Sequence, residues 1–183
     1  MKRLLTISIF VLAYTLGHAQ YNHVQYAPNG TKIEEGQYNT NPNIQPGDSK
    51  EVIAQKMAGV YKTGNWNYWF ENGQQLAEEH YNASGLHTGT WKSWDNNGNL
   101  ASEINYTVGT SVYYHANGQK AEEGNINAAG DRTGNWTGYH ENGHVNYTGS
   151  WSAAGKTGTW TYYDNNGEVT GTEHWSNGVM LSH

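Results

Sequence analysis

Gly134-Asn135-Trp136-Thr137-Gly138-Tyr139-His140-Glu141-Asn142-Gly143 is the stretch that decides the fold. It closes on Asn-Gly, which between β-prone runs is the strongest short-range signal for a β-hairpin. The pair recurs at Asn29-Gly30, Asn72-Gly73, Asn97-Gly98, Asn117-Gly118, Asn142-Gly143, Asn166-Gly167 and Asn177-Gly178. From Gly73 to Gly167 the steps are 25, 20, 25 and 24 residues. Let the glycine of each pair be position 0. Position −9 then holds Gly64, Gly89, Gly109, Gly134 and Gly158, and position −7 holds Trp66, Trp91, Ser111, Trp136 and Trp160. Position −4 holds Trp69, Trp94, Tyr114, Tyr139 and Tyr163. Position +5 holds Glu35, Glu78, Glu103, Glu123, Thr148 and Thr172, and position +8 holds Tyr38, Tyr81, Tyr106, Ile126, Trp151 and Trp175. So many positions in one register mark internal repeats.

Each unit reads as a hairpin with a type I′ turn, which needs positive φ at both central residues. A second turn joins the units, at Asn82-Ala83-Ser84-Gly85, Ala128-Ala129-Gly130-Asp131 and Ser152-Ala153-Ala154-Gly155. A lone hairpin is marginal in water, so the units are expected to stack into one elongated, twisted antiparallel sheet, solenoid-like and all-β. The −9 glycine is expected to clear space for a neighbouring ring. The third unit follows a shorter connection and has Ser111 in place of Trp, so it departs most from the average. Residues 20–38 read as an N-terminal half-repeat, 39–61 as an insertion and 62–183 as the array. In the insertion, Asp48 and Glu51 have capping-box spacing ahead of a short helix; an extra-long strand is the other reading.

Composition agrees with a ring-built core. The 183 residues include 8 Trp, 14 Tyr, 2 Phe, 23 Gly and no Cys. Zero Cys excludes disulfides, thiolate metal sites and a thiol nucleophile. The formal charge of −6 argues against a nucleic-acid groove, which needs clustered Lys and Arg. Lys2 and Arg3, the apolar run Leu4 to Leu16 and the small residues Gly17 and Ala19 read as a signal peptide over residues 1–19, cleaved before Gln20. The run is too short for a membrane span, so the mature chain is expected to be secreted or periplasmic. Without the leader, 8 basic residues face 16 acidic ones, a net of −8.

Gly-x-Trp-x-x-Tyr-x-x-Asn-Gly, followed by an acidic and then an aromatic position, resembles the MORN repeat variant family of bacterial proteins, some labelled antitoxin-like. The resemblance runs from Tyr26 to Asn177 apart from the insertion. It implies β-hairpin arrays that act in binding or assembly, with no shared catalytic residue. Trp160-Thr161-Tyr162-Tyr163-Asp164-Asn165-Asn166-Gly167 also resembles a choline- or glucan-binding cell-wall repeat, which cages cations or stacks on sugars with rings.

Several motifs fail on context. His140-Glu141-Asn142-Gly143-His144 matches the zinc protease string, but that chemistry needs a helix, and the middle residues here are the repeat's own turn. Asp95-Asn96-Asn97-Gly98-Asn99 and Asp164-Asn165-Asn166-Gly167 lack the EF-hand placement of Gly and Glu. Glu78-Glu79 and Glu122-Glu123 read as a solvated strand face rather than paired acid–base carboxylates. Scattered serines give no hydrolase constellation. No enzyme activity, cofactor or metal is therefore expected. Rings at −7 and −4 are an odd number apart and should point to opposite faces of a strand. The candidate binding ladder is Trp66, Trp69, Trp91, Trp94, Tyr114, Trp136, Tyr139, Trp160 and Tyr163, with Glu35, Glu78, Glu103 and Glu123 as an acidic strip. One ring row would build the core, the other an exposed strip; consumption of both rows by stacking is the competing reading. The expected function is protein–protein binding or assembly with a partner that is basic, antitoxin or immunity roles being one case. The alternative is a carbohydrate or cell-wall binding module.

Overall fold

The computed structural model describes residues 20–182; the signal-peptide reading of residues 1–19 lies outside them. The described residues are nearly all β. The strands are β1 Tyr21–Tyr26, β2 Lys32–Tyr38, β3 Lys62–Trp69, β4 Gln75–Tyr81, β5 Thr90–Trp94, β6 Leu100–Asn105 and β7 Thr110–Tyr114. They continue as β8 Lys120–Ile126, β9 Arg132–Tyr139, β10 Val145–Ser152, β11 Gly155–Tyr163, β12 Val169–Ser176 and β13 Val179–Ser182, with one helix, α1 Lys50–Lys56. The chain forms two compact units, one reaching Thr88 and including Asn96–Gly98, the other built from Gly89–Asp95 and the residues from Asn99 onward. In the first unit β1 to β4 pair antiparallel in sequence order. In the second, β5 to β13 do the same. No helix among the described residues is long and apolar enough to cross a membrane.

The hairpins are where the repeat places them, but their turns are not type I′. Gly73 has φ +86 while Asn72 is not in the left-handed region. Gly73 N–H donates to Phe70 O and Phe70 N–H to Gln74 O, both at 2.9 Å. That is a three-residue loop, a type I turn followed by one left-handed glycine, which demands positive φ at a single residue. The Asn side chain braces the loop: Asn72 Oδ1 accepts the Gln74 N–H at 3.0 Å. Only Asn177-Gly178, with φ of 49° and 83°, meets the type I′ expectation among the Asn-Gly turns. An extra residue on each second strand restores the register, as where Tyr68 faces Ala77 but Trp69 faces Gln75.

The −9 glycines serve a different purpose from the one expected. Gly64 and Gly158 have φ +66 and +69, and no ring lies within 4 Å of a Cβ built on either. They mark bulges: Gly124 pairs with Trp136 but Asn125 with Thr133, leaving Gly134 and Asn135 without partners on β8, although both pair with β10. Ring clearance falls instead to position +6. A Cβ on Gly36, Gly124 or Gly149 would lie 2.1, 2.4 or 2.2 Å from the indole of Trp66, Trp136 or Trp160. These three indoles, 0%, 1% and 2% exposed, are the most deeply buried hydrophobic side chains of their units, ahead of Tyr21, Ala27 and Ile126. Each lies on the bare backbone of the preceding strand. Each N–H donates to the carbonyl just after the glycine: Trp66 to Gln37 at 3.1 Å, Trp136 to Asn125 at 3.0 Å, Trp160 to Ser150 at 3.2 Å.

Residues 20–38 are a whole hairpin rather than half of one, with His23 paired to Gly36. His23 occupies position −7, the tryptophan site. Residues 39–61 are an excursion within the sheet, since Tyr38 pairs directly with Lys62 and Asn39 N–H donates to Tyr61 O at 3.0 Å. Helix α1 forms there, capped by Ser49, whose side chain accepts from Val52 N–H. Asp48 is not the cap. Its Oδ2 takes the Gln45 N–H and the Lys56 ammonium, each at 2.7 Å.

Candidate functional site

The bulges fix which way every ring points, and the two rows do face opposite sides. The −7 row is core, so Trp66, Trp136 and Trp160 are lost to any ligand. Trp91 is half-buried, edge-on to Tyr106 at 4.9 Å. The −4 residues are all half-buried: Trp69 lies on the outer face of the first unit, and Trp94, Tyr114, Tyr139 and Tyr163 on that of the second.

The inner face carries a feature that sequence reading missed. Position −11 is Lys62, Arg132 and Lys156 in three hairpins. The Lys62 ammonium lies 4.6 Å from the Trp66 ring, the Arg132 guanidinium 4.0 Å from Trp136 and the Lys156 ammonium 4.3 Å from Trp160. Each cation has a carboxylate: Glu79 for Lys62 at 3.2 Å, Glu122 for Arg132, and Glu173 for Lys156 at 3.3 Å. Tyr68 and Tyr162 also donate to Glu79 and Glu173, both at 2.7 Å. Burial pushes the Tyr68 phenol well above its ordinary value, and Glu79 adds to this. Burial pulls Lys156 down, but Tyr162 and Glu173 outweigh it and its pKa is raised. Such cation–π contacts contribute roughly 0.5 to 2 kcal/mol, more as water is excluded. The ring cages that a foreign quaternary ammonium would need are thus filled by the protein's own cations.

On the outer face the acidic strip is also partnered. Glu35, Glu103 and Glu123 pair with Lys32, Lys92 and Lys120 at 2.6, 3.3 and 2.7 Å, and Glu78 accepts from Gln75 at 2.8 Å. The carboxylates also hold the rings of the next hairpin. Tyr114 donates to Glu103 at 2.8 Å and Tyr139 to Glu123 at 2.5 Å. Burial first, then these glutamates, push both phenols up to about 12. Tyr114 holds the Glu103 carboxyl below its ordinary value, and Lys120 with Tyr139 does the same to Glu123. Glu78-Glu79 and Glu122-Glu123 split between the two faces, so neither pair can act on one bond. Lys32 sits 4.4 Å over the Trp69 ring.

The turns form a third surface. Asn29 and Asn117 donate from Nδ2 to the carbonyls of Glu71 and Glu141 in the next turn, at 3.1 and 2.8 Å, and Asn142 to that of Asn165 at 3.0 Å. His140 and His144 flank a turn, with no helix between them. His140 Nε2–H donates to Tyr163 O at 2.9 Å and His144 Nδ1–H to Asn165 O at 2.7 Å. Asp95 and Asp164 spend their carboxylates on turn N–H groups at 2.9 and 2.8 Å. Among the described residues no three His, Asp or Glu side chains converge as a metal site.

His23 yields a pH prediction. Its ring stacks on Trp66 at 5.5 Å, meets Tyr38 edge-on at 5.4 Å and lies 3.8 Å from Glu34. Burial lowers its pKa, Glu34 opposes this and the Lys62 charge adds to it. The folded first unit therefore binds fewer protons than the unfolded chain, and stability falls as pH drops through the ordinary value of 6.5. Urea midpoints read by tryptophan fluorescence should be lower at pH 5 than at pH 7.5, and His23→Phe should shrink the gap. An unchanged gap would place the effect on other histidines.

Residues 88–107, 107–128, 132–152 and 156–177 match the family model described as MORN repeat variant. No curated protein matches the chain. Among solved structures, a point mutant of S. aureus TarM in complex with fondaparinux, alpha-GlcNAc-glycerol and UDP is similar at 14% identity and a TM-score of 0.36. That match covers 51% of this chain and 19% of the TarM chain.

Proposed function

We infer that this chain, in which four stretches between residues 88 and 177 match the MORN repeat variant model, is an exported, non-enzymatic scaffold that binds a protein partner through Trp94 and Tyr114 on the outer face. The carrying observation is that Trp94 and Tyr114 stay half-exposed on the face opposite the half-buried Trp91 and the buried Ser111. Flat, preset aromatic surfaces give large contact area at small entropy cost. Glu103 holds the Tyr114 ring in place rather than offering free charge, since Lys92 already pairs with it. Preference for a basic partner then comes from the net charge, −6 over the full sequence and −8 without Lys2 and Arg3, which steers encounter. Antitoxin or immunity activity is one case of this reading.

The test uses the exported chain as bait in envelope extract of its own cells. Wild type should retain a defined protein, and Trp94→Ser with Tyr114→Ser should weaken retention at least tenfold with the melting temperature nearly unchanged. Retention that ignores both changes would refute the outer row as the contact.

A further inference from the structure

The last two hairpins of the second unit depart from the outer-face pattern. Position +5, a glutamate in four earlier hairpins, is Thr148 and Thr172 here. Thr137 pairs with Thr148, Thr148 with Thr161, and Thr161 with Thr172. Four threonines therefore run straight across β9 to β12, one strand spacing of about 4.8 Å apart. None of their hydroxyls bonds to another described residue. Beside them lies a second row in which Tyr139 pairs with Val145 and Tyr163 with Val169. Tyr114 and Tyr139 each donate to a glutamate at position +5 of the preceding hairpin, and the residue at that position before Tyr163 is Thr148. Neither row holds a Lys, Arg, Asp or Glu, in a chain with net charge −6.

We propose that this face of β9 to β12 binds an uncharged polysaccharide chain laid across the strands. A pyranose offers a C–H face, which packs on an aromatic ring, and an edge of hydroxyls. Each threonine hydroxyl is both donor and acceptor, so a row of them in register answers the hydroxyl edge whichever way the sugar groups rotate. Tyr163 and Tyr139 take the C–H faces. An anionic polymer would meet the chain's own net negative charge. The surface is separate from Trp94 and Tyr114, so it stands or falls apart from the protein-binding reading.

The experiment is sedimentation of the full chain with insoluble cellulose, chitin or β-1,3-glucan. Wild type should pellet with at least one of them. Thr148→Glu and Thr172→Glu install the residue that other hairpins carry at this position, so folding, checked by circular dichroism and melting, should persist. Each should weaken retention at least tenfold, whereas Trp94→Ala should leave it intact. No retention on any of the three polymers overturns the proposal. So does undiminished binding by Thr148→Glu, or inhibition of ice recrystallisation without glycan retention, which would assign the threonine row to ordered water.

Discussion

Gly124→Ala is expected to destabilise the second unit by about 3 kcal/mol, whereas Gly171→Ala should be neutral or stabilising by about 0.5 kcal/mol. Both replace a strand glycine outside the left-handed region, so backbone strain cannot separate them. What differs is the space above. A Cβ on Gly171 meets nothing within 4 Å, while one on Gly124 would lie 2.4 to 2.5 Å from three indole atoms of Trp136. The indole has no retreat. It is 1% exposed, its N–H is tied to Asn125 O at 3.0 Å and the Arg132 guanidinium covers it at 4.0 Å. Relief requires parting β8 from β9, which breaks ladder hydrogen bonds as well. Urea denaturation of the two variants beside wild type checks this. Equal midpoints would mean that the tryptophan core yields easily and is not what holds successive hairpins together.

Much of this is legible in the sequence. The Asn-Gly spacing located the hairpins, and the odd separation of Trp66 from Trp69 put them on opposite faces. The turn type was not legible, because Asn-Gly suits a type I′ turn and equally a type I turn closed by a left-handed glycine. The glycines beneath the indoles were missed for a different reason. Position +6 alternates among Gly36, Glu79, Ile104, Gly124, Gly149 and Glu173, and its logic lies in the partner strand, not in its own column. The same holds for Gly138, where a Cβ would lie 2.1 Å from the Tyr147 ring. Other hairpins place Tyr68, Tyr113 or Tyr162 at that position, and Tyr147 supplies the ring from the neighbouring strand instead. His23 escaped notice because only counting back from Gly30 reveals it at the tryptophan site. The cations Lys62, Arg132 and Lys156 do share a column, and its period was the available signal.

Volume exchange between strands also explains the third unit and gives the sharpest test. Ser111 is 1% exposed at the tryptophan site, and its Oγ is buried without a partner. It faces Ile104 on the preceding strand and Gly124 on the next. Where Trp66, Trp136 and Trp160 stand, the preceding strand offers glycine; here Ile104 fills the space and a small residue answers it. Ser111→Trp alone should therefore cost about 3 kcal/mol or more by overpacking. Ile104→Gly alone should cost about 3 kcal/mol, through a cavity beside Trp91 and a looser strand. Together they rebuild the arrangement of the other hairpins, and the double variant should be more stable than the sum predicts by about 2 kcal/mol. The rescue stays partial for two reasons. The Asn105 carbonyl that the new indole would use already accepts the Gly109 N–H at 2.8 Å, and position −11 is Thr107, so no cation covers the ring. Four urea curves measure the coupling. If the two costs simply add, the glycine beneath each indole is incidental, and the pairing of bare backbone with tryptophan is not the rule by which these hairpins pack.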